Sequence, residues 1–272
     1  MSRVRALASR VARSLGARRS PRAFRYVFVV TYGRSGSTLV QGLLNALPRT
    51  LVRGENNLYV LHLFRAMASV EEFRSLHLSH NPRASHSAFY GLHAIKPRSF
   101  VQMTRTLVTG HLLGSVRPSS VDVLGFKEVL WHHVLPPETE SFFDFLDSAF
   151  PGCLYVLNER EHDRVVGSGF WQAQDEESVI QAIERVEDIQ VFLRRTRPER
   201  TLDLRYELLT SDDKAVSDPQ FRALAEFVHG SCDAELLDRM RQTLDVGHGP
   251  YPFGQSRNRG RQSGRASTVN DG

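Results

Sequence analysis

The chain is poor in cysteine and lysine and has no long apolar run, and each scarcity narrows what it can be. Its two cysteines, Cys153 and Cys232, sit in apolar segments with no ligand-like spacing. A disulfide framework or a cysteine-based zinc site therefore has no support, and two buried free thiols suit a reducing, cytoplasmic setting. No stretch approaches the roughly 18 apolar residues that a spanning helix requires; the longest apolar strand, around Val27 to Val30, is far too short. Lysine appears three times against 32 arginines. Codon composition accounts for that ratio, yet it makes each lysine worth inspecting.

Acid is missing from the first 25 residues, which hold eight arginines. Removing those eight charges from the net +5 leaves the rest of the chain at −3. The folded body is thus close to neutral, and a nucleic-acid partner is not expected. Residues 1–24 read as a basic, flexible leader that aids solubility. The sharper alternative is an Arg-rich segment that touches anionic lipid or serves as a transit peptide. No apolar h-region follows the arginines, so a secretory signal is not expected. Residues 251–272, rich in Gly, Ser and Arg, read as a flexible tail.

Between these ends, residues 25–250 alternate short β-rich runs with helical periodicities, as expected of an α/β domain with a central parallel sheet flanked by helices. With 41% hydrophobic and 24% charged residues, one large domain with one core is expected. Tyr26 to Thr31 lacks polar alternation, as in a central strand covered on both faces. Leu39, Leu43, Leu44 and Leu47 then recur at helical spacing until Pro48, so a helix starts near Ser35 to Ser37. Further strands are expected at Val121 to Glu128, Cys153 to Asn158 and Leu202 to Arg205. Helices are expected at Glu138 to Phe150, from about Glu161, over Asp175 to Arg195, and twice after the last strand. The stretch from Phe73 to Ser120 has weak periodicity and reads as loops and short helices over the active face, where an acceptor would be selected.

The turn Tyr32-Gly33-Arg34-Ser35-Gly36-Ser37-Thr38 joins a buried strand to a helix N-terminus, the place where backbone N–H groups and the helix dipole favour an anion. Gly33 and Gly36 let the backbone approach phosphate oxygens, Ser35, Ser37 and Thr38 add hydroxyl donors, and Arg34 adds a fixed charge. A plain serine-capped turn is the competing explanation. Neither a Walker A motif nor a G-x-G-x-x-G fingerprint is present, which disfavours an ordinary ATPase and a dinucleotide-binding dehydrogenase.

The loop Thr31 to Leu39 resembles the 5′-phosphosulfate loop of PAPS-dependent sulfotransferases, in the arginine form of their carbohydrate and bacterial branches. Arg160, just after a strand, and Ser168, eight residues on, resemble the family's 3′-phosphate site, and Tyr206-Glu207-Leu208-Leu209 resembles a structural element of the family. The resemblance implies a P-loop-like α/β fold, PAPS as co-substrate and no metal. Lys127, at a strand end, resembles the sulfonate-contacting lysine, with Arg34 the other candidate for that group. Glu55, the first acid in the chain, lies where carbohydrate-type members place their general base. Its alternative is to cap a helix starting near Leu58.

Where cytosolic members carry a histidine, this chain has Val129. His93, His132 and His133 stay as reserve bases, with His93 and His132 the first to test, and Trp131, Phe170 and Trp171 as aromatic groups that could stack on adenine but for which packing is the commoner use. The expected activity is sulfonate transfer from PAPS to a hydroxyl of a small or glycan, carbohydrate-like acceptor. A P-loop-like kinase, and a non-catalytic protein that binds anionic polymers through its arginine-rich ends, are the alternatives.

Overall fold

Residues 24–166 and 175–245 are described by the computed structural model. Five strands, β1 (Arg25–Val30), β2 (Thr50–Arg53), β3 (Val123–Glu128), β4 (Leu154–Glu159) and β5 (Thr201–Arg205), form one all-parallel sheet in the order β2-β3-β1-β4-β5. The helices are α1 (Ser37–Ala46), α2 (Tyr59–His77), α3 (Pro97–Leu113), α4 (Thr139–Ala149), α5 (His162–Val166), α6 (Glu176–Thr196), α7 (Tyr206–Leu209), α8 (Lys214–His229) and α9 (Ala234–Asp245).

Alternation of side chains across the strands divides the core in two. Val27, Val29, Val123 and Val156 pack with Leu39, Leu43 and Leu44 of α1, Phe221 and Leu224 of α8 and Met240 of α9. The opposite face is aromatic: Tyr26, Phe28, Phe126 and Tyr155 pack with residues of α2, α3, α4 and α6. The Phe28 ring centroid lies 4.7 Å from that of Phe126 and 5.3 Å from that of Phe150. β1 is therefore covered on both sides, as its uninterrupted apolar run requires. On β3, a Cβ at Gly125 would fall 2.0 Å from the Val27 carbonyl oxygen, so β3 can lie against β1 only without a side chain there.

The opposite, N-terminal edge of the sheet is fastened by charge. Asp147 of α4 accepts hydrogen bonds from Arg197 Nε at 2.8 Å, Arg200 Nη1 at 2.6 Å and the Tyr155 hydroxyl at 3.1 Å. Burial alone would raise this carboxyl, but the hydrogen bond from Arg200 and the charges of Arg197 and Arg200 outweigh it and hold it below the usual aspartate range.

Two expectations need correction. The stretch from Phe73 to Ser120 contains more than loops and short helices: α2 runs on to His77, and the 17-residue α3 buries Val101, Thr104, Val108 and Leu112 at helical spacing. Thr104 interrupts the apolar stripe, and Pro97, which reads as a breaker, occupies the first turn, where a missing N–H is harmless. The second correction is β2, which the sequence did not announce because only Val52 of its four residues is buried.

The strand order places a topological switch beside β1. Its crossover leads to β2 on one side, whereas the chain leaving β3 crosses to β4 on the other. Open α/β sheets hold ligands in the crevice at the C-terminal ends of such strands. Tyr32, Gly54, Lys127, Arg160 and Tyr206 all lie at the ends of these five strands.

Candidate active site

The turn after β1 is built by its own hydrogen bonds. The Thr31 hydroxyl lies 2.6 Å from the Ser35 hydroxyl and 2.7 Å from the Asn158 carbonyl oxygen, and Asn158 Nδ2 donates to the Ser35 carbonyl at 2.8 Å. These contacts pin the loop to the end of β4. Arg34 and Gly36 adopt left-handed φ values of 66° and 80°. At Gly36 the space is also closed, because a Cβ would fall 2.0 Å from Tyr206 Cδ2. The glycine is thus required by conformation and by the tyrosine behind it. Helix α1 has no acid in its first turn and no side-chain cap, in contrast to α6 and α8, capped by Asp175 and Asp213. Of its first N–H groups, that of Leu39 donates to the Gly36 carbonyl at 2.9 Å, and no side chain caps the others, the arrangement that favours an anion at a helix N-terminus. Ser35 and Ser37 are buried in the turn, and Thr38 is exposed.

Tyr32 clamps the next element. Its hydroxyl donates to the Arg160 carbonyl at 2.9 Å and accepts from the Arg160 N–H at 3.0 Å. Burial pushes this phenol up to about 12, so the group stays neutral and serves both roles. The Arg160 guanidinium sits 4.3 Å over the Tyr206 ring and donates from Nη1 to the Arg34 carbonyl at 3.0 Å. Its Nε is buried and has no hydrogen-bond partner among the described residues. An arginine held against the glycine turn with a donor to spare is an anion receptor in its chemistry. Tyr206 supports both halves, filling the space at Gly36 and carrying Arg160.

At the end of β3, Lys127 Nζ is ion-paired with Glu55 Oε1. The lysine is buried and the glutamate half-exposed, so the pair marks the border between sheet and solvent. What holds Glu55 there is the neighbouring Glu128, which is fully buried. One of its carboxylate oxygens accepts from the backbone N–H of Asn56 at 3.0 Å and Leu58 at 2.8 Å. The other accepts from Val129 at 2.8 Å and Leu130 at 3.2 Å. This carboxylate ties the turn carrying Glu55 to the strand carrying Lys127. It also answers the helix-capping alternative for Glu55: the N-cap of α2 is Leu58, without a side-chain cap of its own, and Glu128 takes its N–H. Glu128 carries no motif in the sequence, where it is only the end of a strand; the four converging N–H groups reveal it.

The other candidates separate clearly. Ser168, with Phe170 and Trp171, lies outside the described residues. Trp131 is fully buried, donating from Nε1 to the carbonyls of Val29 and Glu128 at 3.1 and 2.9 Å, so it belongs to the core. His93 makes a 3.0 Å contact from Nδ1 to the Pro82 carbonyl, away from the pair in sequence and element. His132 follows β3, where burial and then the neighbouring His133 hold its imidazole below the usual range. Among the described residues, no group of three or more His, Cys, Asp or Glu is placed to hold a metal ion, and no helix is long and apolar enough to cross a membrane.

A parallel α/β sheet whose charged and glycine-rich elements collect at the C-terminal ends of its strands defines the class of protein. A family model described as "Sulfotransferase family" matches residues 26–228, and the chain belongs to that family. The chain is thus an enzyme of sulfonate transfer. Among solved structures it is similar to the sulfotransferase domain from the Synechococcus PCC 7002 olefin synthase, at 18% identity over 85% of this chain and 83% of that one, with a TM-score of 0.44. It is also similar to sulfotransferase STF9 from Mycobacterium avium, at 17% identity over 91% of this chain and 73% of that one, again with a TM-score of 0.44. Comparison with curated proteins finds no match.

Proposed function

We propose that the enzyme takes its sulfonate from PAPS and passes it to a hydroxyl of a small or glycan, carbohydrate-like acceptor. The observation that carries this reading is the pairing of Lys127 with Glu55, brought together across 72 positions of sequence at the strand ends beside the glycine turn. Transfer needs a cation for the donor and a base for the acceptor at one place, and this pair supplies both.

In this reading Gly33, Arg34, Ser35, Gly36, Ser37 and Thr38 hold the 5′-phosphosulfate, and Arg160, with Ser168, holds the 3′-phosphate. The fit rests on the N-terminus of α1, which no side chain caps, and on Arg160 Nε, which has no partner among the described residues. As the acceptor oxygen bonds to sulfur, its proton passes to the Glu55 carboxylate. The sulfur–oxygen bond to the donor breaks, and 3′,5′-bisphosphoadenosine leaves with the bridging oxygen and its electron pair. Lys127 and Arg34 stabilise charge on the sulfonate and that oxygen. Lys127 must then turn from Glu55 toward the donor, which leaves the carboxylate open to the acceptor. The catalytic domain is taken as residues 25–250.

The test is ligand-induced stabilisation, since a molecule that binds only the native state raises its melting temperature. 3′,5′-Bisphosphoadenosine is expected to stabilise the enzyme more than ADP or ATP without added metal. Equal shifts with all three would remove the 3′-phosphate from the reading, and dependence on Mg²⁺ would favour a kinase.

A further inference from the structure

Basic residues are not confined to the two ends of the sequence. From residue 73 to residue 121 the chain has no acid, while carrying six arginines and lysines and five of its eleven histidines. The same stretch holds seven of the eleven large apolar residues that are exposed among the described residues: Phe73, Leu76, Leu78, Tyr90, Ile95, Met103 and Leu107. Leu76, Tyr90 and Met103 keep 62%, 61% and 66% of their surface.

Leu78, Tyr90 and Ile95 belong to a folded lobe between α2 and α3, with Phe73 and Leu76 on the last turns of α2 and Met103 and Leu107 on α3. The His77 ring stacks on Phe89 at 4.3 Å and 9°, with Phe73 at 6.0 Å from the same ring. The Gly91 N–H donates to the Pro82 carbonyl at 3.0 Å, and Arg74 Nη1 donates to the Leu92 carbonyl at 3.3 Å. Leu76 and Tyr90 thus project from a framed surface, with Arg83 and Lys96 exposed on the same short lobe.

We infer that this lobe docks the enzyme on an anionic lipid bilayer. Glu71 is paired with Arg74 at 3.4 Å, so the exposed Arg83, Lys96 and Arg98 face only Glu72 among the neighbouring acids of α2. That excess of cations suits a negatively charged surface, and apolar side chains beside them suit insertion at the headgroup level. A soluble polyanion would use the charge and leave the apolar residues in water. A second copy of the chain, meeting the lobe with the same face, would set like charges opposite each other. The inference does not rest on the identity of the sulfonate donor or acceptor.

The experiment is cosedimentation of the full-length protein with phosphatidylcholine vesicles, with and without phosphatidylglycerol. Binding is expected only with the anionic lipid, and it should weaken with salt. The double variant Arg83→Gln/Lys96→Gln should bind at least about tenfold more weakly, given the ~1 kcal/mol that each basic residue contributes near such a surface. Leu76→Ser/Tyr90→Ser should also lose binding, with melting temperatures unchanged in both variants because all four side chains are exposed or peripheral. The Arg-rich leader is present throughout, so undiminished binding by both variants would assign adhesion to the leader and overturn the inference. Failure of the unaltered protein to bind would do the same. Loss with the charge variant alone would show purely electrostatic adhesion, without the insertion inferred for Leu76 and Tyr90.

Discussion

Replacing Glu128 by glutamine tests whether one buried carboxylate organises the reactive pair. In the native protein its two oxygens accept four backbone N–H groups, two each. Glutamine has a single acceptor oxygen, and its NH₂ would face two of those donors across the same short distances. Two charge-assisted bonds are lost, each about 1.5–3 kcal/mol, so the expected cost is roughly 3–6 kcal/mol. For a chain near this size, each kcal/mol lowers the melting temperature by about 2–4 °C, which places the midpoint at least about 6 °C lower. The backbone gives a second reason for a large effect. Asn57 and Leu58 have φ values of 62° and 43°, a conformation that costs about 1–3 kcal/mol per residue and persists only when its surroundings fix it. Releasing Asn56 and Leu58 from Glu128 removes that fixation and frees Glu55 from its place beside Lys127. The assay is a thermal melt followed by circular dichroism, paired with turnover measured well below the new midpoint. A melting temperature within about 2 °C of the parent, with unchanged turnover, would refute the reasoning.

Arg160→Ala is expected to abolish most of the preference for 3′,5′-bisphosphoadenosine over ADP in thermal-shift titrations, a loss of about 1.5–3 kcal/mol for a charged hydrogen bond. Glu55→Gln should lower kcat by at least about a hundredfold while bisphosphoadenosine binding stays near that of the parent, with a lowered melting temperature because the buried Lys127 loses its carboxylate partner; retained activity would move the search to His132 and His93. Lys127→Ala should lower kcat far more than nucleotide affinity, and a raised KM with unchanged kcat would remove it from the chemistry. Asp147→Asn should destabilise the fold by roughly 3 kcal/mol at neutral pH, since it leaves Arg197 and Arg200 without their shared partner. The carboxyl sits below its ordinary range in the folded state, so its stabilising effect is present above the unfolded value of about 3.9 and is lost as pH falls through the folded one. The gap between parent and variant in denaturant melts should therefore begin to narrow below about pH 4 and shrink further as pH passes through the lower folded value.

What the sequence could and could not disclose follows from how local each determinant is. β1 and α1 declare themselves because burial on both faces of a central strand and on one face of a helix leaves an unbroken apolar run and a clear period, as in Val27 to Val30 and Leu39 to Leu47. β2 and α3 are equally real but depend on neighbours: Val52 needs only one buried position to join β3, and Thr104 is buried by packing rather than by its own hydrophobicity. The candidate site divides in the same way. Gly36 and Arg34 are visible as residue types, yet the need for glycine comes from Tyr206, 170 positions later, and the clamp on Arg160 comes from Tyr32. Lys127 and Glu55 can be proposed one at a time from their places in the chain; that they touch, and that Glu128 makes them touch, is a property of the sheet's parallel order. A carboxylate that binds only backbone N–H groups has no partner residue type to search for. Such positioning residues are therefore hidden from sequence reasoning in proportion to how completely they are buried, and Glu128 is buried completely.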